Sequence, residues 1–240
     1  MARKRTRLHP DLIGFEQEDT LHIPLTRQRI TESALKLLNE YGLKELSMRK
    51  VAEDLHVQPA SLYYHVKGKE QLLQLLADHM SSEMLWPDSS LPWQSQISSW
   101  GEQFRELLHK YRDAAELFQA TIAVSYNRLR QIERLFGIFA TAGFPDPQIP
   151  WMASILKNYV VGYVGEEVRL RTFADDGDHT QEQLSEQYMK VYGQLPKDQF
   201  PHVIRLAPYT TSTDWQQEFR FGLGVLIDGF TAKLTSGQPE

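Results

Sequence analysis

Between Ser47 and Leu73 the chain reads SMRKVAEDLHVQPASLYYHVKGKEQLL, and cations, hydroxyls and aromatic rings recur in it within a few residues of one another. Tyr63 and Tyr64 can lay their rings on sugars or a thymine methyl and send their hydroxyls to phosphates, while Ser61 can bond a base edge or a phosphate. Arg49 and Lys50 stand at the start of one expected short helix. His65, Lys67 and Lys69 stand at the start of another, where unpaired backbone N–H groups also favour an anion. The chemistry these residue types can do together is contact with duplex DNA. The same segment also fits a small helical subdomain with exposed rings and ordinary surface lysines.

Such contacts need a scaffold that delivers one helix end into a groove. Ile30, Ala34, Leu37, Leu38 and Tyr41 recur at three- and four-residue spacings, which predicts an amphipathic helix over 26–40 that Gly42 ends. Ser47 is a suitable N-cap for a second helix that turns Val51, Ala52 and Leu55 inward. A third begins near Gln58, because Pro59 at its first turn lacks only an N–H that has no partner there. In it Leu62 faces the core, and Pro59, Ala60, Ser61, Tyr63 and Tyr64 face outward. A fourth follows Gly68 and carries Leu72, Leu73, Leu75, Leu76 and Met80. Helical patterns continue at 94–110, 113–122, 128–141, 151–169, 183–193 and 214–234. The segment 172–183 reads as a polar loop, and Thr213 with Gln216 as a capping box for the last helix. No internal repeat or long strand signal interrupts this, so the expected fold class is all-α.

Composition narrows the function classes. The 240 residues include no cysteine, which removes disulfides, thiolate catalysis and sulfur-ligated zinc. No apolar run approaches the roughly 18 residues of a spanning helix, and the first residues lack a secretory apolar region, so the expected location is the cytoplasm. Net charge is -5, yet residues 26–69 carry 8 Lys and Arg against 5 Asp and Glu, and Met1–Arg7 adds four more cations. A basic head on an acidic body suits local contact with phosphates. Glu166, Glu167, Asp175, Asp176, Asp178 and His179 are the acids and histidine to consider for an enzyme. Adjacent helix residues diverge by about 100 degrees, however, and the later ones belong to the expected loop. Neither a phosphate loop, a paired-histidine motif nor a nucleophile elbow is present. No catalytic residue, metal or cofactor is expected.

Residues 26 to about 80 resemble the DNA-binding domain of the tetracycline-repressor (TetR) family of bacterial regulators. The resemblance runs through Arg29, Ile30, Ala34, Leu37, Leu38, Gly42, Leu46 and Ser47, then Arg49, Lys50, Val51, Ala52, Leu55 and Val57. It closes on Leu62, Tyr63, His65, Val66, Lys67, Lys69 and Leu72. It implies that Arg49, Pro59, Ala60, Ser61, Tyr63, Tyr64, His65 and Lys69 occupy the operator-contacting positions. Pro59 and Ala60 stand where the tetracycline repressor has glutamine and proline, so its operator sequence does not transfer. The implied division is a basic arm at 1–25, a helix-turn-helix domain at 26–80, and a helical regulatory and dimerisation domain at 81–236.

The body is similar to the same class more faintly, through Tyr111, Arg112, Asp113, Ala115 and Thr121, and later Leu135, Gly143 and Phe144. The resemblance implies a homodimer packed through 151–169 and 214–234, where Gly162, Gly165, Gly222, Gly224 and Gly229 would permit close helix approach. Drug-contact positions keep an aromatic at Phe104 and a hydroxyl at Thr121. Trp100, Leu85 and Phe118 stand where an asparagine, a histidine and a metal-ligating histidine would be. A greasy cavity lined by Trp100, Phe104, Leu108, Phe118, Phe139, Trp151 and Ile155, with Thr121 and Asn158 as polar points, is the expected effector site. Its occupant would be a small apolar or aromatic molecule rather than magnesium-tetracycline. The expectation is a repressor that binds an inverted-repeat operator as a dimer and is released by such an effector. The alternative is the same fold without an inducer.

Overall fold

The computed structural model describes residues 24–176, 180–210 and 214–236. Among them eleven helices and no strand occur. The proposed arm at 1–25 lies outside the described residues apart from its last two positions.

Four helices make the head: α1 (Arg27–Tyr41), α2 (Met48–Asp54), α3 (Pro59–His65) and α4 (Lys69–Ser82). The Thr26 hydroxyl accepts from Arg29 N–H at 3.2 Å and starts α1. Ser47 accepts from Lys50 N–H at 3.3 Å and starts α2, as its residue type predicts. Pro59 opens α3, and Leu62 is fully buried. Gly42 ends α1 at φ +83°, a left-handed backbone. A Cβ there would also lie 2.8 Å from a carboxylate oxygen of Asp113, so only glycine fits.

The body comprises α5 (Trp93–Lys110), α6 (Ala114–Ala120), α7 (Tyr126–Thr141), α8 (Ile149–Asp176), α9 (Gln181–Gly193), α10 (Pro201–Thr210) and α11 (Trp215–Ser236). Four elements differ from expectation. The long helix α8 runs on to Asp176 and α9 begins at Gln181, so most of the supposed 172–183 loop is helical. Thr180 and Gln183 form the capping box that sets the start of α9. The helix α10 was not expected at all; it contains Pro208 in its last turn. For α11 the cap is Asp214, whose carboxylate accepts from Gln217 N–H at 3.0 Å; Thr213 lies outside the described residues. Gln216 turns instead to α5, bonding Arg105 and Glu102.

Head and body share one hydrophobic core, and α4 joins them. Leu72, Leu76, Ala77 and Met80 are fully buried, and each large aliphatic side chain removed from water contributes roughly 1.5–3 kcal/mol. One face of α4 packs on α1 and another on α7 and α6. Asp78 on α4 accepts from Asn127 N–H at 2.7 Å and from its side-chain amide at 2.9 Å. An acid from the head thereby caps the first turn of α7, whose own N-cap Ser125 makes no side-chain capping bond.

The centre of the body is tied by charge. Glu167 on α8 is fully buried and pairs with Arg105 on α5 at 2.5 Å, and with His109 Nε2 at 2.8 Å. The Arg105 guanidinium also lies 4.9 Å from the Phe219 ring of α11. Tyr159 and Tyr163 on α8 donate to the carbonyls of Phe219 and Trp215 at 2.8 and 2.9 Å. Burial pushes both phenols up, Tyr159 to about 12, so they remain donors. Glu166, the residue before Glu167, is exposed and pairs with Arg169. The two neighbouring acids therefore serve different surfaces.

Burial pushes the Glu167 carboxyl up, but hydrogen bonds from His109 and Arg105 outweigh it and hold the group below its usual value of 4.5. A depressed carboxyl contributes stability above the unfolded value, and that contribution is lost as pH falls through the folded one. Glu167→Gln should lower stability by about 3–5 kcal/mol, because it leaves Arg105 buried without a counter-charge. It should also flatten the acid limb below about pH 4.5. Urea melts followed by circular dichroism between pH 3 and 7 check this, and an unchanged acid limb would assign the pH dependence elsewhere.

Candidate nucleic-acid interface and body cavity

The turn between α2 and α3 places α3 on the outside of the head with a single inward residue. Pro59, Ala60, Ser61, Tyr63 and Tyr64 are exposed on that face and His65 is half-buried. Tyr64 is 89% exposed and touches only the edge of His65, at 5.4 Å between ring centres. A ring so exposed contributes little to the core, and with Tyr63 beside it, 49% exposed, it leaves two aromatic rings on the outer face of α3. Lys69 is exposed at the start of α4, and its ammonium donates to the Leu43 carbonyl at 3.2 Å. Arg49 is also exposed, held by Glu53 at 2.8 Å in a surface pair of little energetic weight. Phosphate contact from Arg49 therefore requires it to leave a weak partner. All eight positions expected to meet DNA are thus on α2, α3 or the start of α4.

That face is mechanically linked to the body. Leu43, whose carbonyl receives Lys69, donates its own N–H to Asp113 at 2.7 Å. Arg112 donates from its backbone to Asn39 at 3.1 Å and from its guanidinium to the Glu40 carbonyl at 2.9 Å. Asp113 sits at φ +55°, which aspartate tolerates better than most residues, and uses its carboxylate on the head rather than on capping α6.

Between α4, α5, α7 and α8 lies a cavity of about 240 Å³. Trp100, Phe104 and Phe118 form an aromatic wall, with ring centres 5.1 Å and 5.3 Å apart along the series. These three expected residues are brought together. Thr121 stands behind the wall, accepting from Arg128 at 2.8 Å. Leu108 and Phe139 are buried but do not reach the cavity; they pack in the core. Trp151, Ile155 and Asn158 are on the outer face of α8, Trp151 being 65% exposed. The inward stripe of α8 is Met152, Ala153, Leu156 and Val160, one residue around from the stripe expected. Leu85 is also exposed, whereas its neighbour Met84 lines the cavity.

The largest group of cavity residues not anticipated comes from α7: Arg128, Gln131, Ile132, Leu135 and Phe136. Their 128, 131/132, 135/136 spacing was a legible helical stripe. An arginine at its head made that face resemble a solvated one. Among the described residues no group of three His, Cys, Asp or Glu could hold a metal ion. No described helix is long and apolar enough to cross a membrane.

The family model described as "Bacterial regulatory proteins, tetR family" matches residues 30–76, and "Tetracyclin repressor-like, C-terminal domain" matches residues 87–234. An "HTH-type transcriptional regulator" of Saccharopolyspora erythraea is 30% identical over 87% of this chain and 85% of its own length. "Tetracycline repressor protein class D" of Escherichia coli is 29% identical over 88% of this chain and 92% of that one. The structure of the Streptomyces coelicolor TetR family protein ActR with actinorhodin has a TM-score of 0.80 at 28% identity, covering 88% of this chain and 97% of ActR.

Because nothing in the fold leans on the Tyr64 ring, Tyr64→Ala should leave the melting temperature unchanged while weakening operator binding on the order of tenfold, about 1.4 kcal/mol. Lys69→Ala should weaken binding to all sequences alike and reduce the slope of log affinity against log salt by about one. Fluorescence anisotropy at several salt concentrations reads both. An unchanged affinity and slope for Lys69→Ala would remove it from the phosphate contacts.

Proposed function

The chain belongs to the TetR family of bacterial transcriptional regulators, and on that premise we propose that it is a cytoplasmic, homodimeric repressor that a small molecule in the body cavity releases from an inverted-repeat operator. The observation that carries this reading is that α4, which packs in the head beneath an outward-facing α3, also reaches an aromatic cavity in the body. Residues 26–80 act as the DNA-binding domain and 81–236 as the regulatory and dimerisation domain. Arg49, Pro59, Ala60, Ser61, Tyr63, Tyr64, His65 and Lys69 form the operator contacts, and no catalytic step is part of the reading.

The outer faces of α8 and α11 support a two-fold assembly. Phe221 and Val225 on α11 are exposed, and Trp151 and Ile155 on α8 are too. Gly162, Gly224 and Gly229 have no neighbour within 4 Å of where a Cβ would be, so these positions are open to a partner, whereas Gly165 lines a groove of the monomer beside Leu108 and Ala114. Gly222 differs: a Cβ there would run into the Tyr159 ring, and its smallness serves the monomer's own packing. A dimer built on these faces presents two α3 helices related by a two-fold axis, which requires a palindromic site with half-sites about 34 Å apart.

Selection of bound sequences from a random duplex library, followed by footprinting, tests the function. An inverted repeat protected on one face of the duplex is expected, and the absence of sequence-specific binding would refute the reading. The interface makes a separate prediction. Leu223 is buried within the monomer, so Leu223→Glu unfolds the chain and says nothing of assembly. Phe221 is 73% exposed, and Phe221→Glu should keep the helical circular-dichroism spectrum while shifting sedimentation to the monomer and abolishing tight operator binding. A folded dimer in that variant would place the interface on another face.

A further inference from the structure

The cavity is not electrically neutral. Its lining includes two cations, Arg128 and Lys157, and neither aspartate nor glutamate. Arg128 is only 6% exposed. Its Nη1 donates to the Thr121 hydroxyl at 2.8 Å, and the guanidinium lies 5.0 Å from the centre of the Phe118 ring. Neither neighbour carries a counter-charge; the Asp78 carboxylate is near enough to attract the cation, but its oxygens bond Asn127 rather than the guanidinium. A guanidinium stays protonated at neutral pH, and burying one without an anion bonded directly to it is costly. Burial lowers the Arg128 pKa despite the opposing charge of Asp78. Two further polar atoms in residues lining this cavity are buried without a partner: the indole N–H of Trp100 and the side-chain oxygen of Gln131.

We propose that the ligand of this cavity is an aromatic acid, its flat apolar body against Trp100, Phe104 and Phe118 and its anionic oxygen group, a carboxylate or an acidic phenol, paired with Arg128. The proposal rests on the cavity being the effector site and narrows the apolar or aromatic class expected there to molecules that also carry one negative charge. Trp100 supplies a second donor to the ligand's oxygens, and Gln131 accepts from a ligand hydroxyl. Thr121 holds the guanidinium from behind and is a positioning residue. An uncharged ligand of the same shape would leave the buried cation unpaired, so the site discriminates by charge as well as by shape.

The test uses the full-length protein, calorimetry and two probes of nearly the same shape, 1-naphthoate and the neutral 1-naphthamide. Wild type should bind the naphthoate at least about tenfold more tightly, the scale of a hydrogen bond to a charged group. Arg128→Gln should abolish that preference, and Arg128→Lys should retain part of it. Equal affinities in wild type, a preference that survives Arg128→Gln, or no naphthoate binding at millimolar concentration would each overturn the proposal. The ligand-free Arg128→Met protein should melt at or above the wild-type temperature, since it removes an unpaired buried charge. A clear fall would show that Arg128 serves the fold instead and would overturn the proposal. Operator affinity measured in the same samples separates the two levels. Naphthoate bound through Arg128 with operator affinity unchanged supports the acid site and refutes effector control. Release of operator by naphthamide as efficiently as by naphthoate, with or without Arg128, supports effector control and refutes the acid site.

Discussion

One helix has to be buried in two places at once. The four turns of α4 fill the head with Leu72 and Leu76, and at their far end Met80 and Ser81 enter the body beside Met84. Interiors are close-packed, so neither end can move alone without opening a void that costs roughly 24 cal/mol per Å³. The head is therefore not a freely hinged reader. Its orientation is a packing solution shared with α6 and α7.

Apolar contact alone would allow several such solutions, because it has no direction. Polar ties select one. The Asp78 carboxylate fixes α4 to the first turn of α7. The Asp113 carboxylate and Arg112 fix the end of α1 to the turn before α6. The Arg105–Glu167 pair fixes α5 to α8, and Gln216 extends it to α11. Buried pairs of this kind add little net stability compared with an apolar replacement, but losing one partner is severe. Their value is geometric: each joins elements distant in sequence at one register.

Legibility in the sequence followed the same division between local and distant causes. The head was readable because its signals are local: Ser47 caps α2, Pro59 opens α3 and Gly42 closes α1. The orientation of α8 was not, because Trp151 and Ile155 on one side and Met152, Leu156 and Val160 on the other make it apolar on two faces. A period specifies a helix but cannot choose between two apolar stripes; the neighbours α5, α6, α7 and α11, packed against α8, decide. The helix α10 was hidden by Pro201 and Pro208, although the first stands at its start, where the missing N–H costs nothing. Arg128 was passed over because an arginine within an apolar stripe reads as a surface residue. Its burial depends on Phe118 and Thr121, which come from the end of α6.

The placement of Arg128 also bears on how the two sites communicate. Its neighbour in sequence, Asn127, donates to the α4 carboxylate, so the cation in the cavity wall and the clamp on α4 occupy the same turn of α7. Any force on the guanidinium acts on the backbone that Asp78 caps. Gln131, one turn later, lines the cavity and also donates to the Ser81 carbonyl of α4 at 2.9 Å. Two successive turns of α7 therefore face the cavity while bonding α4. A coupling of about 1–3 kcal/mol, ordinary for such regulators, is comparable with one or two of these bonds and requires no refolding of the body. Linkage makes it reciprocal: an operator that holds the two α3 helices at a fixed spacing must in turn weaken whatever ligand favours the other position of α4.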